Sequence, residues 1–316
     1  MNLEAFILGC GGMMPLPGRH LTSVLLRREG ELFLFDCGEG TQVSLKKLNL
    51  RWKKISVIFV SHTHADHITG LPGILMLSSQ VERNEPLYII GPPRIKDYIE
   101  TSCEVLDMYI NYEIVIKEVT EPGIVFAGED FRVKAFFLKH RKPVLGYSLE
   151  EDIRPGTFFP DKAVQAGVPK GPLWSRLQAG ESVELAAGSP ADGEKRVVQP
   201  GEVMGPPRKG RKFSFVTDSL YFPEIAPHVE NSDLFICEGM FGEDLSESAF
   251  EKRHMTAAQA AQIAKGAGGV KKMGLIHYSP RYTDRELKHL LAEAKRIFPA
   301  TFLTRDGMTL EIPHED

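Results

Sequence analysis

Apolar and polar residues fall along this chain in short blocks whose period changes repeatedly. Residues 3–8 form an apolar run. Residues 22–27 and 32–36 form two more that meet at Glu29-Gly30, so the opening reads as three strands with a hairpin joining the second and third. Residues 42–48 take helical spacing, and the β-branched run 55–60 predicts the next strand. Further strands are predicted at residues 87–90, 112–119, 131–138, 213–217, 233–237 and 272–276, and helices at 71–79, 94–108, 257–265 and 284–297. Glu121-Pro122-Gly123 and Gly128-Glu129-Asp130 mark turns, and Arg305-Asp306-Gly307 predicts a closing hairpin. This order of elements fits an α/β protein built as a two-sheet sandwich flanked by helices.

The pattern weakens between residues 154 and 210. Turn formers crowd the segment, among them Pro155, Gly156, Gly188, Pro190 and Gly193, and no long apolar run survives, which predicts an inserted, partly extended arm outside the core. Val164, Leu173, Trp174, Leu177 and Val183 are the residues within it that need something to pack on. Its charge is mixed, with six basic residues (Lys195 among them) against nine acidic between positions 150 and 207. Only the run Arg208-Lys209-Gly210-Arg211-Lys212 at its return is strongly cationic, so the arm is not a simple basic paddle.

Candidate chemistry begins where the run 55–60 stops. His62, His64, Asp66 and His67 follow at once and lead into a helix-like segment, which places four potential metal donors on a strand-to-helix loop. Neutral imidazole and ionised carboxylate are donors that zinc and manganese accept. A spacing of two lets His62 and His64 point the same way from extended backbone. Three other predicted strands also stop at a donor, namely His140, Asp218 and His277, and strands carrying such groups at one end imply a sheet edge built as a site. The expected division gives His62, His64 and His140 to one cation and Asp66, His67 and His277 to another, with Asp218 bridging because each carboxylate oxygen binds one ion. Asp36, just past a strand and before glycines, is placed to orient metal-bound histidines. His254 precedes a helix, whose dipole lowers an imidazole pKa unless a carboxylate such as Glu238 holds the proton. His20, His228, His289 and His314 read as surface or core residues.

Composition excludes several classes. At 316 residues and 42% hydrophobic content the chain buries a sizeable core. A formal net charge of −4 gives no overall attraction to nucleic acid, so phosphate binding must come from local patches or metal ions. Cys10, Cys37, Cys103 and Cys237 form no Cys-x-x-Cys pair, against a zinc ribbon or a disulfide scaffold. No apolar run of about twenty residues and no export-like leader is present, which makes the cytoplasm the expected location.

The motif His62-Thr63-His64-Ala65-Asp66-His67 resembles the His-x-His-x-Asp-His signature of the metallo-β-lactamase superfamily. Within it, Phe35-Asp36-Cys37-Gly38-Glu39-Gly40-Thr41-Gln42, Gly70-Leu71-Pro72-Gly73, Gly146-Tyr147 and Ile276-His277-Tyr278-Ser279-Pro280-Arg281-Tyr282 resemble the ribonuclease Z family. Val168-Pro169-Lys170-Gly171-Pro172-Leu173 is similar to that family's glycine-proline motif, in the exosite that grips the tRNA elbow. The resemblance implies a four-layer αββα sandwich made of residues 1–153 and 211–316, with an inserted tRNA-binding exosite arm at 154–210. It implies a metal-dependent endoribonuclease that removes the 3′ trailer of precursor tRNA, working as a homodimer with two divalent cations, zinc ahead of manganese. By the same resemblance Asp66 acts as general base on the attacking water, and His254 assists the departing 3′ oxygen with Glu238 beside it. Arg281, Lys170, Gly171 and Pro172 become the expected substrate contacts. The chain departs from the family pattern with Cys237 before Glu238 and Met255 after His254, without losing a ligand. Two other readings use the same residues: a two-metal hydrolase of small phosphodiesters or other esters, and an inactive RNA-binding module.

Overall fold

The computed structural model describes residues 2–81, 83–185 and 196–315. Gly188, Pro190, Gly193 and Lys195 of the predicted arm lie outside them. The chain divides into two units, one of residues 1–150 with 211–313 and one of residues 151–210 with 314–316.

The larger unit begins with β1 (Leu3–Gly9), β2 (Ser23–Arg28), β3 (Glu31–Phe35), α1 (Thr41–Lys47), β4 (Ile55–Phe59), α2 (Ala65–Ile68), α3 (Leu71–Ser79), β5 (Leu87–Gly91), α4 (Ile95–Val105) and β6 (Ile114–Glu118). It continues through β7 (Gly123–Ala127), β8 (Phe131–Lys139) and β9 (Pro143–Glu151). The smaller unit holds α5 (Pro160–Gln165), α6 (Pro172–Gln178), β10 (Val183–Leu185), β11 (Arg196–Val198) and α7 (Pro200–Val203). The larger unit then resumes with β12 (Lys212–Val216), α8 (Ala226–Val229), β13 (Leu234–Glu238), α9 (Ser246–Lys252), α10 (Ala257–Ala267), β14 (Met273–Ile276), α11 (Leu287–Ile297), β15 (Thr301–Leu303) and β16 (Thr309–Glu311).

Two seven-stranded mixed sheets result, ordered β16-β1-β2-β3-β4-β5-β6 and β15-β14-β13-β12-β9-β8-β7. The turn from β2 to β3 has positive φ at both Glu29 (49°) and Gly30 (92°), the conformation a two-residue hairpin needs. In β3 and β4 alternate residues serve two cores. Phe33, Phe35, Val57 and Phe59 join the core shared by the sheets, whereas Leu32, Leu34, Ile55 and Ile58 pack with Leu45, Leu71, Ile74 and Ile99 of the covering helices. Burial on both faces is why these strands read as unbroken apolar runs. Between the sheets Phe35 meets Phe59 at 5.0 Å, Phe213 at 5.1 Å and Phe215 at 5.8 Å between ring centroids. Tyr147 joins the same stack, and its hydroxyl donates to the Val60 carbonyl at 2.7 Å, so the polar end of a buried ring is satisfied across the sandwich. On the other sheet, α10 is capped by Thr256, whose side chain accepts from Gln259 N while Gln259 Oε1 accepts from Thr256 N.

The closing hairpin predicted around Arg305-Asp306-Gly307 does not form. β15 extends one sheet beside β14 and β16 extends the other beside β1, so the turn carries the chain across the sandwich. Two strands that the sequence pattern did not predict are present, β7 between the two predicted turns and β9 after His140. Among the described residues the smaller unit adds to the expected partly extended arm three short helices, an antiparallel strand pair and a core of its own. Ala163, Ala166, Val168, Leu177, Val183, Val198 and Val203 bury each other there, with Phe158 and Trp174 rings 5.2 Å apart alongside. Val164 is 64% exposed and contributes nothing to that core.

Candidate metal centre

Each donor sits just beyond the end of a strand or on the first turn after it. The backbone past β4 runs extended through His64 (φ −75°, ψ 150°), and α2 then carries Asp66 and His67. His140 follows β8, Asp218 follows β12 and His277 follows β14 with φ 61°. β12, β13 and β14 pair in parallel, so their ends reach one edge together. His62, His67 and His277 are fully buried, and Asp218 is nearly so.

The side chains of His62, His64, His140 and Asp218 offer ligand atoms within 4.8 Å of one another, and so do those of Asp66, His67 and His277. Asp218 divides its two oxygens between these groups. Oδ2 lies 3.4 Å from His62 Nε2 and 3.7 Å from His140 Nε2, while Oδ1 lies 3.2 Å from His67 Nε2 and 3.3 Å from His277 Nε2. Asp66 Oδ2 is 3.3 Å from His277 Nε2 and accepts the Met13 backbone N–H at 2.7 Å. Gly12 allows this packing, because a Cβ there would sit 2.7 Å from His277 Nε2.

Hydrogen bonds behind the cluster fix which ring nitrogens face it. Asp36, fully buried and with φ 56°, accepts from His67 Nδ1 at 2.7 Å, from Ser61 N at 2.6 Å and from Ser61 Oγ at 2.7 Å. With its proton given to Asp36, Ser61 Oγ accepts from His62 Nδ1 at 3.0 Å. His140 Nδ1 donates to the Arg253 carbonyl at 2.7 Å, and the Arg253 guanidinium returns a bond to the His140 carbonyl at 3.0 Å. His62, His67 and His140 therefore all present an Nε2 lone pair inward, the form a metal accepts.

Burial, reinforced by His67, pushes His62 down to about 3, so it stays neutral. Burial works in the same direction at His67, but the carboxylates of Asp218 and Asp36 outweigh it and hold that ring well above the ordinary imidazole range. Two buried carboxylates thus call for positive charge beside two ring nitrogens 3.1 Å apart, His67 Nε2 and His277 Nε2. A divalent cation satisfies both demands at once, and the donor set fits one.

On the flank, Glu238 is fully buried, accepting from Ser219 N at 2.6 Å and from His254 Nδ1 at 3.1 Å. Burial opposes a charge on His254, yet Glu238 and Asp218 more than offset it and raise the ring to about 9. The nearby carboxylates, Glu238 first, thus outweigh burial. His254 Nε2 stands 4.0 Å from Asp218 Oδ2, the longest of these approaches. Arg281 is exposed, with its guanidinium 5.2 Å from the Phe241 ring that flanks His254. Cys237 and Met255 are both fully buried in the core. Lys170 and Pro172 are exposed in the smaller unit, on either side of Gly171 (φ 143°), which begins α6.

Sequence reasoning missed Ser61, the Met13 amide and Arg253. Two of these act through backbone groups, which leave no residue-type signal, and serine is too common to stand out beside a histidine.

The profile of a family described as anti-Pycsar protein Apyc1 matches residues 3–106. Over 98% of this chain and all of the other, the structure is similar to YhfI of Bacillus subtilis, a metallo-β-lactamase fold protein, with a TM-score of 0.67 at 20% identity. Together with the two sheets and their shared edge of donors, this defines a metallo-β-lactamase-fold protein. Human tRNase Z, short form, is similar with a TM-score of 0.69 at 26% identity, covering 98% of this chain and 99% of its own. Ribonuclease Z of Treponema denticola is 64% identical over the full length of both chains, and that of Borrelia hermsii 45% identical over 98% of this chain and 97% of its own. The chain belongs to the ribonuclease Z family.

Proposed function

We propose that this chain is a metal-dependent endoribonuclease that removes the 3′ trailer of precursor tRNA at the edge shared by the two sheets. Family membership supports the substrate, and the division of Asp218 between two sets of donors is the single observation that best supports a two-ion centre. His62, His64 and His140 would hold one cation, Asp66, His67 and His277 the other, and Asp218 both. The many nitrogen donors favour zinc over manganese. When bound, such a pair would acidify a water and neutralise the phosphoryl oxygens.

The chain's own groups do the rest. Asp66, held by the Met13 amide, receives the proton of the attacking water. His254 keeps a proton because Glu238 faces its other nitrogen, and hands that proton to the departing 3′ oxygen. Arg281 steadies a flanking phosphate. The segment at residues 154–210, through Lys170, Gly171 and Pro172, grips the tRNA away from the cut, and the working unit is a homodimer in the cytoplasm. Among the described residues no helix is long and apolar enough to cross a membrane.

A precursor tRNA with a 3′ trailer, compared with bis(4-nitrophenyl) phosphate, tests the reading when metal content is measured alongside. The expected result is two ions per chain and cleavage of the tRNA, lost by about three or more orders of magnitude in Asp66→Ala. Turnover of the small diester alone, or near-normal rates in the variant, would sink it.

A further inference from the structure

The metal ligands occupy one edge of their sheet, and the connection from α1 to β4 lies at the opposite edge. Lys46, Lys47, Arg51, Lys53 and Lys54 stand there, five exposed cations within nine residues. No carboxylate interrupts the run, and among the described residues none of the five is held in an ion pair. Two surface hollows flank it. One, of about 350 Å³, is lined by Lys46, Asn49, Arg51, Trp52 and Lys53, and the other, of about 310 Å³, by Arg51 and Lys54 among others. Lys46 and Lys47 end α1, where cations suit the helix dipole. Lys53 and Lys54 likewise end a short 3-10 turn (Trp52–Lys54), whereas Arg51 has no such local reason.

On a chain of net charge −4, this patch is where a polyanion is locally attracted. Flexible lysine ammonium groups interleaved with an indole and an amide suit a sugar-phosphate backbone better than an acidic peptide, because they meet phosphates at irregular spacing without reading sequence. From Lys54 to His62 the chain is mostly extended strand, so at about 3.3 Å per residue the patch lies roughly 25 Å from the donors. That is less than one turn of a nucleic-acid duplex, about 34 Å in the B form. We propose that residues 46–54 form a second RNA-holding surface, which binds phosphates of the substrate's helical body while its 3′ end occupies the centre. This inference rests on the ribonuclease reading above.

The test uses the full-length protein with Lys46, Lys47, Lys53 and Lys54 all changed to Ser, and a second variant with the same four changed to Arg. Affinity for a mature-length tRNA transcript is measured from about 50 to 200 mM KCl, the range over which phosphate contacts show their salt dependence. In the Ser variant the melting temperature and the turnover of bis(4-nitrophenyl) phosphate should match the parent. Its tRNA affinity should fall about tenfold or more, and the slope of log K against log salt should become shallower by about two to three. The Arg variant should keep both affinity and slope. Unchanged affinity and slope in the Ser variant would overturn the inference, as would an equal loss in the Arg variant, which would mark the lysines as structural. A parent protein that neither binds nor cuts precursor tRNA would instead overturn the ribonuclease reading itself.

Discussion

Two histidines of the centre lean on buried carboxylates, and the pairs differ in what meets the far side of each ring. Asp36 holds His67 Nδ1 at 2.7 Å, and His67 Nε2 then looks onto Asp218 Oδ1 at 3.2 Å and His277 Nε2 at 3.1 Å. Glu238 holds His254 Nδ1 at 3.1 Å, but there the far nitrogen lies 4.0 Å from Asp218 Oδ2, and the side chain keeps 10% exposure where His67 has none. The orienting device is the same. Crowding by other donors makes one ring suited to a cation, and the looser setting makes the other suited to carrying a proton.

The comparison breaks most visibly at His254. His254→Ala should cost about 10²- to 10⁴-fold in precursor tRNA cleavage while metal content stays at the parent level. The loss should largely vanish with a 4-nitrophenolate leaving group, which needs no proton, and a fall in bound metal would instead make His254 a ligand and erase the contrast. Asp36→Ala acts on the other pair and should weaken metal binding about 10- to 100-fold, read by competition with a chelator. Full metal affinity in that variant would mean that the buried carboxylate does not orient the ring. The smallest effect is expected from Glu238→Gln, which preserves a hydrogen-bond acceptor but removes the charge. Cleavage should drop about tenfold with metal affinity unchanged, and a parallel loss of both would show that the two pairs do one job.

Much of this centre was legible in the residues because its donors stand where apolar runs stop. The break after residue 60, and the single donors His140, Asp218 and His277 after three other strands, were enough to nominate seven donors that the structure brings close together, where Asp218 and His277 also lie near His254, a third grouping the residues did not suggest. What local pattern could not carry was pairing at a distance. The Arg305-Asp306-Gly307 turn has the same chemistry whether the following strand folds back or crosses to the other sheet, and the choice is made by β1, whose outer edge β16 covers. The core of residues 151–210 is likewise assembled from helices of seven residues or fewer, too short to show a full apolar face in sequence. Val164 illustrates the difficulty: it looks as apolar as Val168, and only the packing exposes one and buries the other.

The crossing turn bears on how the chain is made. Asp306 accepts the Cys10 amide at 3.0 Å and the His20 amide at 2.6 Å, and so grips both flanks of the loop whose Met13 amide meets Asp66. These partners are separated by 296 and 286 positions. A ribosome adding about 5 to 20 residues per second delivers the first of them many seconds before the last. Through that interval β1 has an open edge and the loop lacks its Asp306 clamp, so the donors cannot take their final places until residue 306 has been made.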